Sequence, residues 1–161
     1  MVGVNYLDEK LVITGGAPLK GKVSASGAKN AAVAILPASI ICDEKCTVEN
    51  LPDILDVKVM QNILTLLGAE VEYKNGKMEI DPAKMVSRPA NYELLRYMRA
   101  SYYLLGALLA KFGKAEIALP GSCDIGQRPI DQHIKGLEAL GAEIELSHGI
   151  VRANAKGGRL T

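Results

Sequence analysis

Four side chains able to do chemistry crowd into the segment Leu119-Pro120-Gly121-Ser122-Cys123-Asp124-Ile125-Gly126-Gln127-Arg128-Pro129-Ile130-Asp131. They are the thiol of Cys123, the guanidinium of Arg128 and the carboxylates of Asp124 and Asp131. A thiol near a cation in a glycine-rich loop is a setting that favours the thiolate, the form that acts as nucleophile or relays a proton. The same segment also reads as a connecting loop with an inert cysteine, and its composition leaves both readings standing. A second set stands far upstream, where Ser26-Gly27-Ala28-Lys29-Asn30-Ala31-Ala32 turns the chain into an alanine-rich run. Lys29 and Asn30 then fall on the first turn of a helix, beside free backbone N–H groups that attract anions. The alternative is a cap region with a solvent-facing lysine.

The remaining titratable groups suggest no metal. His133 and His148 share no ligand spacing, and Cys42 and Cys46 have no histidine near them. Those two cysteines read as a helix end and a strand start, reduced and structural. Asp131 reads as a first-turn residue favoured by the helix dipole. No Gly-Lys-Ser or Gly-Lys-Thr phosphate loop occurs, and Tyr102 and Tyr103 read as packing residues.

The elements that must hold these groups alternate along the chain. Leu11–Ile13 and Leu19–Ser26 read as strands. Residues 28–42 read as a helix with almost no polar face, capped by Ser26, and such a helix belongs in a core. Lys45–Asn50 reads as a strand, Asp53–Leu67 as an amphipathic helix closed by Gly68, and Glu70–Lys74 and Lys77–Ile80 as a hairpin around Asn75-Gly76. A helix from Asn91 to Phe112 follows, then a strand at Ala115–Leu119. After the cysteine loop come a helix at Ile130–Leu140 and a second hairpin, Ala142–Leu146 and Ile150–Ala153, around His148-Gly149.

This order is a repeat. Leu67-Gly68-Ala69-Glu70 returns 73 residues later as Leu140-Gly141-Ala142-Glu143, and the Leu-Pro pair of Leu51-Pro52 returns 68 residues later at Leu119-Pro120. Two βαβαββ-like units result, at about 21–81 and 88–155, and repeats of this kind stack to bury faces neither buries alone. Arg99 lies 70 residues after Lys29 in the corresponding helix, so two cations could sit at comparable positions in the two copies and converge on one polyanion; helices also carry lysine and arginine freely, and coincidence is the other reading.

Composition narrows the function. The chain has 161 residues, of which 48% are apolar, with no Trp and one Phe, so its core is built from Leu, Ile, Val, Ala and Met. Lys and Arg number 19 against 18 Asp and Glu, a net charge of +1, which gives no basic excess for nucleic acid. The longest apolar run, Ala31–Cys42, is too short and too interrupted to span a bilayer, and Asp8, Glu9 and Lys10 precede any signal-like stretch. The expected compartment is the cytoplasm, with no membrane partner.

Three separated motifs carry a family resemblance: Ser26 to Ala32, Met98-Arg99-Ala100-Ser101, and Leu119 to Asp131. In that order they resemble the amino-terminal part of the UDP-N-acetylglucosamine 1-carboxyvinyltransferases, enolpyruvyl transferases of bacterial peptidoglycan precursor synthesis, from about residue 10 to the end. The resemblance implies an α/β fold, an inverse α/β barrel of repeated βαβαββ units around buried helices, with two units present. Residues 1–20 would pack with the other domain of the complete protein, and 21–161 would form part of the first domain. It implies transfer of the enolpyruvyl group of phosphoenolpyruvate to the 3-hydroxyl of UDP-N-acetylglucosamine with release of phosphate, through a phospho-lactoyl ketal and with no cofactor.

The resemblance also assigns residues. Lys29 matches a lysine contacting phosphoenolpyruvate, Asn30 its substrate-holding neighbour, and Arg99 an arginine near the reaction centre. Cys123 matches the loop cysteine that forms a covalent adduct with phosphoenolpyruvate and is alkylated by the epoxide antibiotic fosfomycin. Arg128 matches a phosphate-contacting arginine. Arg128, Pro129, Ile130, Asp131 and Gln132 match the segment lining the uridine side, with Gln132 in place of a leucine. The family's catalytic aspartate and a further phosphate-binding arginine lie in a carboxy-terminal half that this sequence does not include, so the chain alone is expected to be inactive. Three other readings stand beside this one. They are a sister enzyme acting on shikimate 3-phosphate, which lacks the loop cysteine, a non-catalytic paralogue that only binds nucleotide sugar, and a repeat domain without chemistry.

Overall fold

The computed structural model describes residues 12–16, 18–87, 102–119 and 130–161. Its sheets grow from two hairpins. β2 (Glu70–Lys74) and β3 (Lys77–Asp81) are joined by Asn75 and Gly76, both at positive φ (52° and 73°). β5 (Ala142–Ser147) and β6 (Ile150–Ala155) are joined by His148 and Gly149, at 51° and 74°. Two successive left-handed residues make the tight turn whose twist matches that of the flanking strands. Each hairpin then takes one more antiparallel strand on its returning arm: β1 (Cys46–Val48) beside β3, and β4 (Lys114–Ala118) beside β6. The two three-stranded sheets therefore share one order, β1-β3-β2 and β4-β6-β5.

The repeat extends to single hydrogen bonds. The Leu51 N–H donates to the Gly76 carbonyl at 2.7 Å, and the Leu119 N–H donates to the Gly149 carbonyl at 2.8 Å. Val48 faces Met78, and Ile117 faces Val151. Between these facing residues, Val48 and Ile117, and the leucine the first copy thus carries one residue more. Asn50 takes up the excess at φ 56°, a conformation its short amide side chain tolerates better than most.

Alternation along the strands separates two faces. In the first sheet Cys46, Ile80 and Val71 lie abreast, as do Val48, Met78 and Tyr73, and this face meets the helices. The opposite face carries Thr47, Glu79 and Glu72 abreast. There Glu79 pairs with Lys45 and, at 2.9 Å, with Lys77. These two cations hold its carboxyl well below the usual carboxylate range, at about 2. The second sheet repeats the scheme with the signs exchanged: Arg152 stands between Glu116 and Glu145, and its Nε lies 3.2 Å from the Glu116 carboxylate.

Among the described residues four helices cover the apolar faces: α1 (Lys29–Ala38), α2 (Leu55–Leu66), α3 (Tyr103–Phe112) and α4 (Asp131–Ala139). α1 packs on α2 and α3, α2 on β2, α3 on β4 and α4 on β5. One apolar cluster runs through both units, with Leu36, Ile40, Met60, Leu64, Met78, Ile80, Leu104 and Leu109 fully buried. The repeats share a core, as stacked units should.

Several expectations are corrected. Residues 12, 13 and 19–26 form no strand; Val12, Ile13, Leu19 and Val23 are exposed. Alternating polarity makes a strand only where a neighbour accepts its backbone hydrogen bonds, and the described residues offer none there. The helix expected over 28–42 ends at Ala38 and tightens into a 3₁₀ turn over Ser39–Ile41. Pro37 lies in its last turn, where it cannot donate back to the preceding turn, and the Ser39 hydroxyl donates to the Leu36 carbonyl at 2.6 Å. Nor is α1 buried all round. Ala31, Ile35 and Ala38 lie exposed on one flank, so its apolar composition exceeds what the neighbouring helices cover. α4 has no fully buried residue and touches the core through Ile134 and Leu137. The expected Asn91 start of the third helix lies outside the described residues.

Candidate functional site

Lys29 is placed by a close backbone approach. A Cβ on Gly27 would sit 1.9 Å from the Asn50 carbonyl oxygen, so only glycine lets the two segments touch. The approach anchors the start of α1 to the turn at Leu51-Pro52, where both residues are buried. The same turn leads through Ile54, in extended conformation, into α2. Both helix starts are therefore set by one turn, and Lys29 meets Asp56 in the first turn of α2, Nζ to Oδ2 at 2.8 Å.

This pair lies at the surface, with the Lys29 side chain 59% exposed and Asp56 24% exposed. An exposed pair contributes about 0.2–1 kcal/mol to stability, so its stronger consequence is positional. It holds an ammonium beside a helix start that has no side-chain cap. Ala28 is the N-cap, in extended conformation, and the expected Ser26 cap is not formed. The first intrahelical bond runs from the Ala32 N–H to the Ala28 carbonyl, which leaves the N–H groups of Lys29, Asn30 and Ala31 without a helical acceptor. The uncapped N–H groups at this helix end form a locus suited to a phosphate or carboxylate, with the Lys29 ammonium beside it and paired in this structure with Asp56.

The second described group opens α4. Ile130 is buried and fixes the segment to the core, while Asp131 and Gln132 are exposed. The Gln132 amide donates to Asp131 Oδ2 at 3.0 Å, and Asp131 faces the positive end of the helix dipole. The His133 ring packs edge-on against Tyr102 at 4.8 Å between centroids, and Tyr102 packs on Tyr103 at 4.6 Å. This aromatic cluster ties the first turn of α4 to the start of α3. Among the described residues no hydrogen bond or ion pair joins Lys29 or Asn30 to Ile130, Asp131 or Gln132. Arg99, Cys123, Arg128 and Pro129 lie outside the described residues.

Two features escaped sequence reasoning. Asp56 as the partner of Lys29 carries no signal of its own, because an acidic residue in a first turn is common on any helix. The contact of Tyr102 with His133 joins residues far apart in the chain and has no local pattern. Among the described residues no group of three or more His, Cys, Asp or Glu could hold a metal ion, and no helix is long and apolar enough to cross a membrane.

Comparison with known proteins gives this geometry a context. Residues 13–161 match the family model for EPSP synthase (3-phosphoshikimate 1-carboxyvinyltransferase). Among curated proteins, a UDP-N-acetylglucosamine 1-carboxyvinyltransferase of Clostridium botulinum is 57% identical over 148 residues, covering 91% of this chain and 36% of its own length. A relative of the same description from Caldanaerobacter subterraneus is 53% identical, covering 92% of this chain and 36% of its own length. The chain thus spans about a third of the length of these relatives. Among solved structures, the enolpyruvyl transferase NikO from Streptomyces tendae superposes with a TM-score of 0.75 at 26% identity, over 91% of this chain and 32% of that one. The EPSP synthase of Acinetobacter baumannii shares the fold at a TM-score of 0.65 and 21% identity, over 88% of this chain and 33% of its own. With its repeated units, its shared core and a match from residue 13 to its last residue, the chain belongs to the EPSP synthase (3-phosphoshikimate 1-carboxyvinyltransferase) family of enolpyruvyl transferases.

Proposed function

We propose that this chain is part of an enzyme that transfers the enolpyruvyl group of phosphoenolpyruvate to the 3-hydroxyl of UDP-N-acetylglucosamine, releasing phosphate, in the synthesis of peptidoglycan precursors. The observation that carries the choice of acceptor is the level of identity. The curated relatives of 44–57% identity bear the UDP-N-acetylglucosamine name, while the structurally similar EPSP synthases stand at 21%. The loop cysteine, Cys123, and Asn30 after Lys29 favour the same acceptor over shikimate 3-phosphate.

The chemistry needs cations for a phosphate and a carboxylate, an acid that protonates the methylene carbon, and a base for the sugar hydroxyl. Lys29, held beside the uncapped start of α1, supplies a charge to the anionic substrate, with Asn30 offering its amide to the bound molecules. Arg99 and Arg128 add guanidinium groups for the phosphate and the reaction centre. Cys123 serves the proton transfer or the release of product. Ile130, Asp131 and Gln132 follow Arg128 and Pro129 along the uridine side, where the buried Ile130 keeps the start of α4 in place. The hydroxyl oxygen adds to C2 of phosphoenolpyruvate as C3 gains a proton. The resulting ketal then loses a proton from its C3 methyl group to a base as the bond from C2 to the phosphate oxygen breaks and phosphate leaves.

On this reading residues 1–20 pack with the second domain, 21–161 form two units of the first, and the remaining catalytic groups come from the rest of the protein. The isolated chain turns over no substrate. The reading also places the protein in the cytoplasm and makes it a target of fosfomycin. The test is a mass measurement on the full-length protein. Fosfomycin adds one molecule at Cys123, faster when UDP-N-acetylglucosamine is present. Labelling that shikimate 3-phosphate accelerates and the nucleotide sugar does not would assign the chain to the sister activity. Absence of any Cys123 adduct would remove the support that this residue lends.

A further inference from the structure

The first turns of α3 and α4 meet through aromatic rings. His133, in the first turn of α4, stands edge-on to Tyr102, the N-cap of α3, with centroids 4.8 Å apart and planes at 61°. It meets Tyr103 at 6.4 Å and 79°, and the two tyrosines tilt against each other at 4.6 Å. Aromatic pairs favour such edge-on and tilted arrangements, so the contact has a preferred geometry as well as proximity. Little else orients this helix start. α4 is nine residues long, with no buried residue and no side-chain cap. Ile134 and Leu137 lean on the core, and Ile130 is buried ahead of the first turn. The hydrogen bond from the Gln132 amide to Asp131 lies within the turn and ties it to no other element. The first turn is thus pinned at its entry by Ile130 and at its third residue by the His133 ring.

We propose that Tyr102 and His133 are positioning residues for the acceptor substrate, holding Asp131 and Gln132 in the orientation that the acceptor meets. This rests on the assignment of the segment ending at Gln132 to the uridine side. Asp131 and Gln132 directly precede His133, and Arg99 stands three residues before Tyr102, so the ring contact joins two stretches assigned to the acceptor and the reaction centre. Lys29 and Asn30, assigned to phosphoenolpyruvate, open α1, where Lys29 pairs with Asp56 of α2. Loosening the start of α4 leaves them in place. Without the ring, the first turn samples more orientations, and the acceptor must order it on binding. That cost falls equally on the bound acceptor and on the transition state, so it raises KM for the acceptor and leaves kcat unchanged. An aromatic pair of this kind changes the equilibrium it supports by roughly two- to tenfold.

The experiment uses the full-length protein and measures steady-state kinetics with both substrates, calorimetric binding of UDP-N-acetylglucosamine and thermal unfolding. His133→Ala should raise Kd and KM for the nucleotide sugar by roughly two- to tenfold, with kcat and the KM for phosphoenolpyruvate unchanged. His133→Phe, which keeps a ring and discards the nitrogens, should restore the wild-type values. Tyr102→Leu should reproduce the loss, and the double variant should lose no more than either single one. If His133→Ala does not fold, Tyr102→Leu and His133→Phe carry the comparison. The proposal is overturned if a folded His133→Ala or Tyr102→Leu changes neither acceptor constant, or if kcat or the KM for phosphoenolpyruvate changes in step. It is overturned equally if His133→Phe behaves as His133→Ala, which would make an imidazole nitrogen a direct contact. Turnover by the wild type with shikimate 3-phosphate in place of the nucleotide sugar would refute the acceptor reading instead, and the same split measured on that acceptor then upholds or overturns the ring contact.

Discussion

Replacing Gly27 by alanine tests the contact that sets the start of α1. The added Cβ would stand 1.9 Å from the Asn50 carbonyl oxygen and 3.1 Å from its carbonyl carbon. An ordinary contact begins near 3.4 Å, so the two backbone segments must part by more than an ångström. The group struck is backbone, in a turn where Asn50 already sits at φ 56° and the Leu51 N–H is bonded to Gly76, so it yields poorly. Overpacking of this kind costs about 1–3 kcal/mol. For a chain of this size each kcal/mol lowers the melting temperature by roughly 2–4 °C, so Gly27→Ala should melt roughly 2–12 °C lower. The control is Gly136→Ala in α4, where a Cβ meets nothing within 4 Å and φ is ordinary. Alanine there should stabilise by about 0.5–1 kcal/mol through helix propensity. Calorimetry or circular dichroism of the two variants reads both effects. If Gly27→Ala melts with the wild type, or both variants shift in the same direction, the argument that this approach anchors Lys29 fails.

Further outcomes follow from the same geometry. Leu36→Ala and Leu104→Ala, each emptying a fully buried site of the shared core, should each cost about 2–5 kcal/mol in urea unfolding. Unfolding by two separate transitions would contradict a single core. Glu79, its carboxyl held at about 2 by Lys45 and Lys77, contributes fully above the ordinary carboxylate range and loses its contribution as pH falls from about 4.5 towards 2. Glu79→Gln should therefore flatten the acid limb of stability in that window, and parallel wild-type and variant curves would show that the pairs contribute nothing. In the full-length protein, Lys29→Ala should lower turnover by roughly a hundredfold or more while unfolding shifts by less than about 1 kcal/mol, because its ion pair is exposed. A stability loss that accounts for the whole defect would make Lys29 structural.

Some of this was readable along the chain and some was not. The two hairpins were, because Asn75-Gly76 and His148-Gly149 demand left-handed backbone and are flanked by alternating residues, a purely local signal. The repeat was too, since Leu67-Gly68-Ala69-Glu70 and its second copy end the same helix and begin the same strand. Residues 19–26 misled: alternation shows which face would be buried but not whether a neighbouring strand is there to pair. The composition of α1 misled in the same way, because the apolar flank at Ala31, Ile35 and Ala38 has no covering element among the described residues. At the site, Lys29 could be placed on a helix start from its neighbours alone. The role of Gly27 could not, because its contact with Asn50 depends on a turn more than twenty residues away.

The most direct test is phosphate release by the full-length protein supplied with phosphoenolpyruvate and either acceptor. Release that requires UDP-N-acetylglucosamine and falls sharply in Lys29→Ala is the predicted result. Release driven by shikimate 3-phosphate alone, or none from a folded full-length protein with either acceptor, would contradict it.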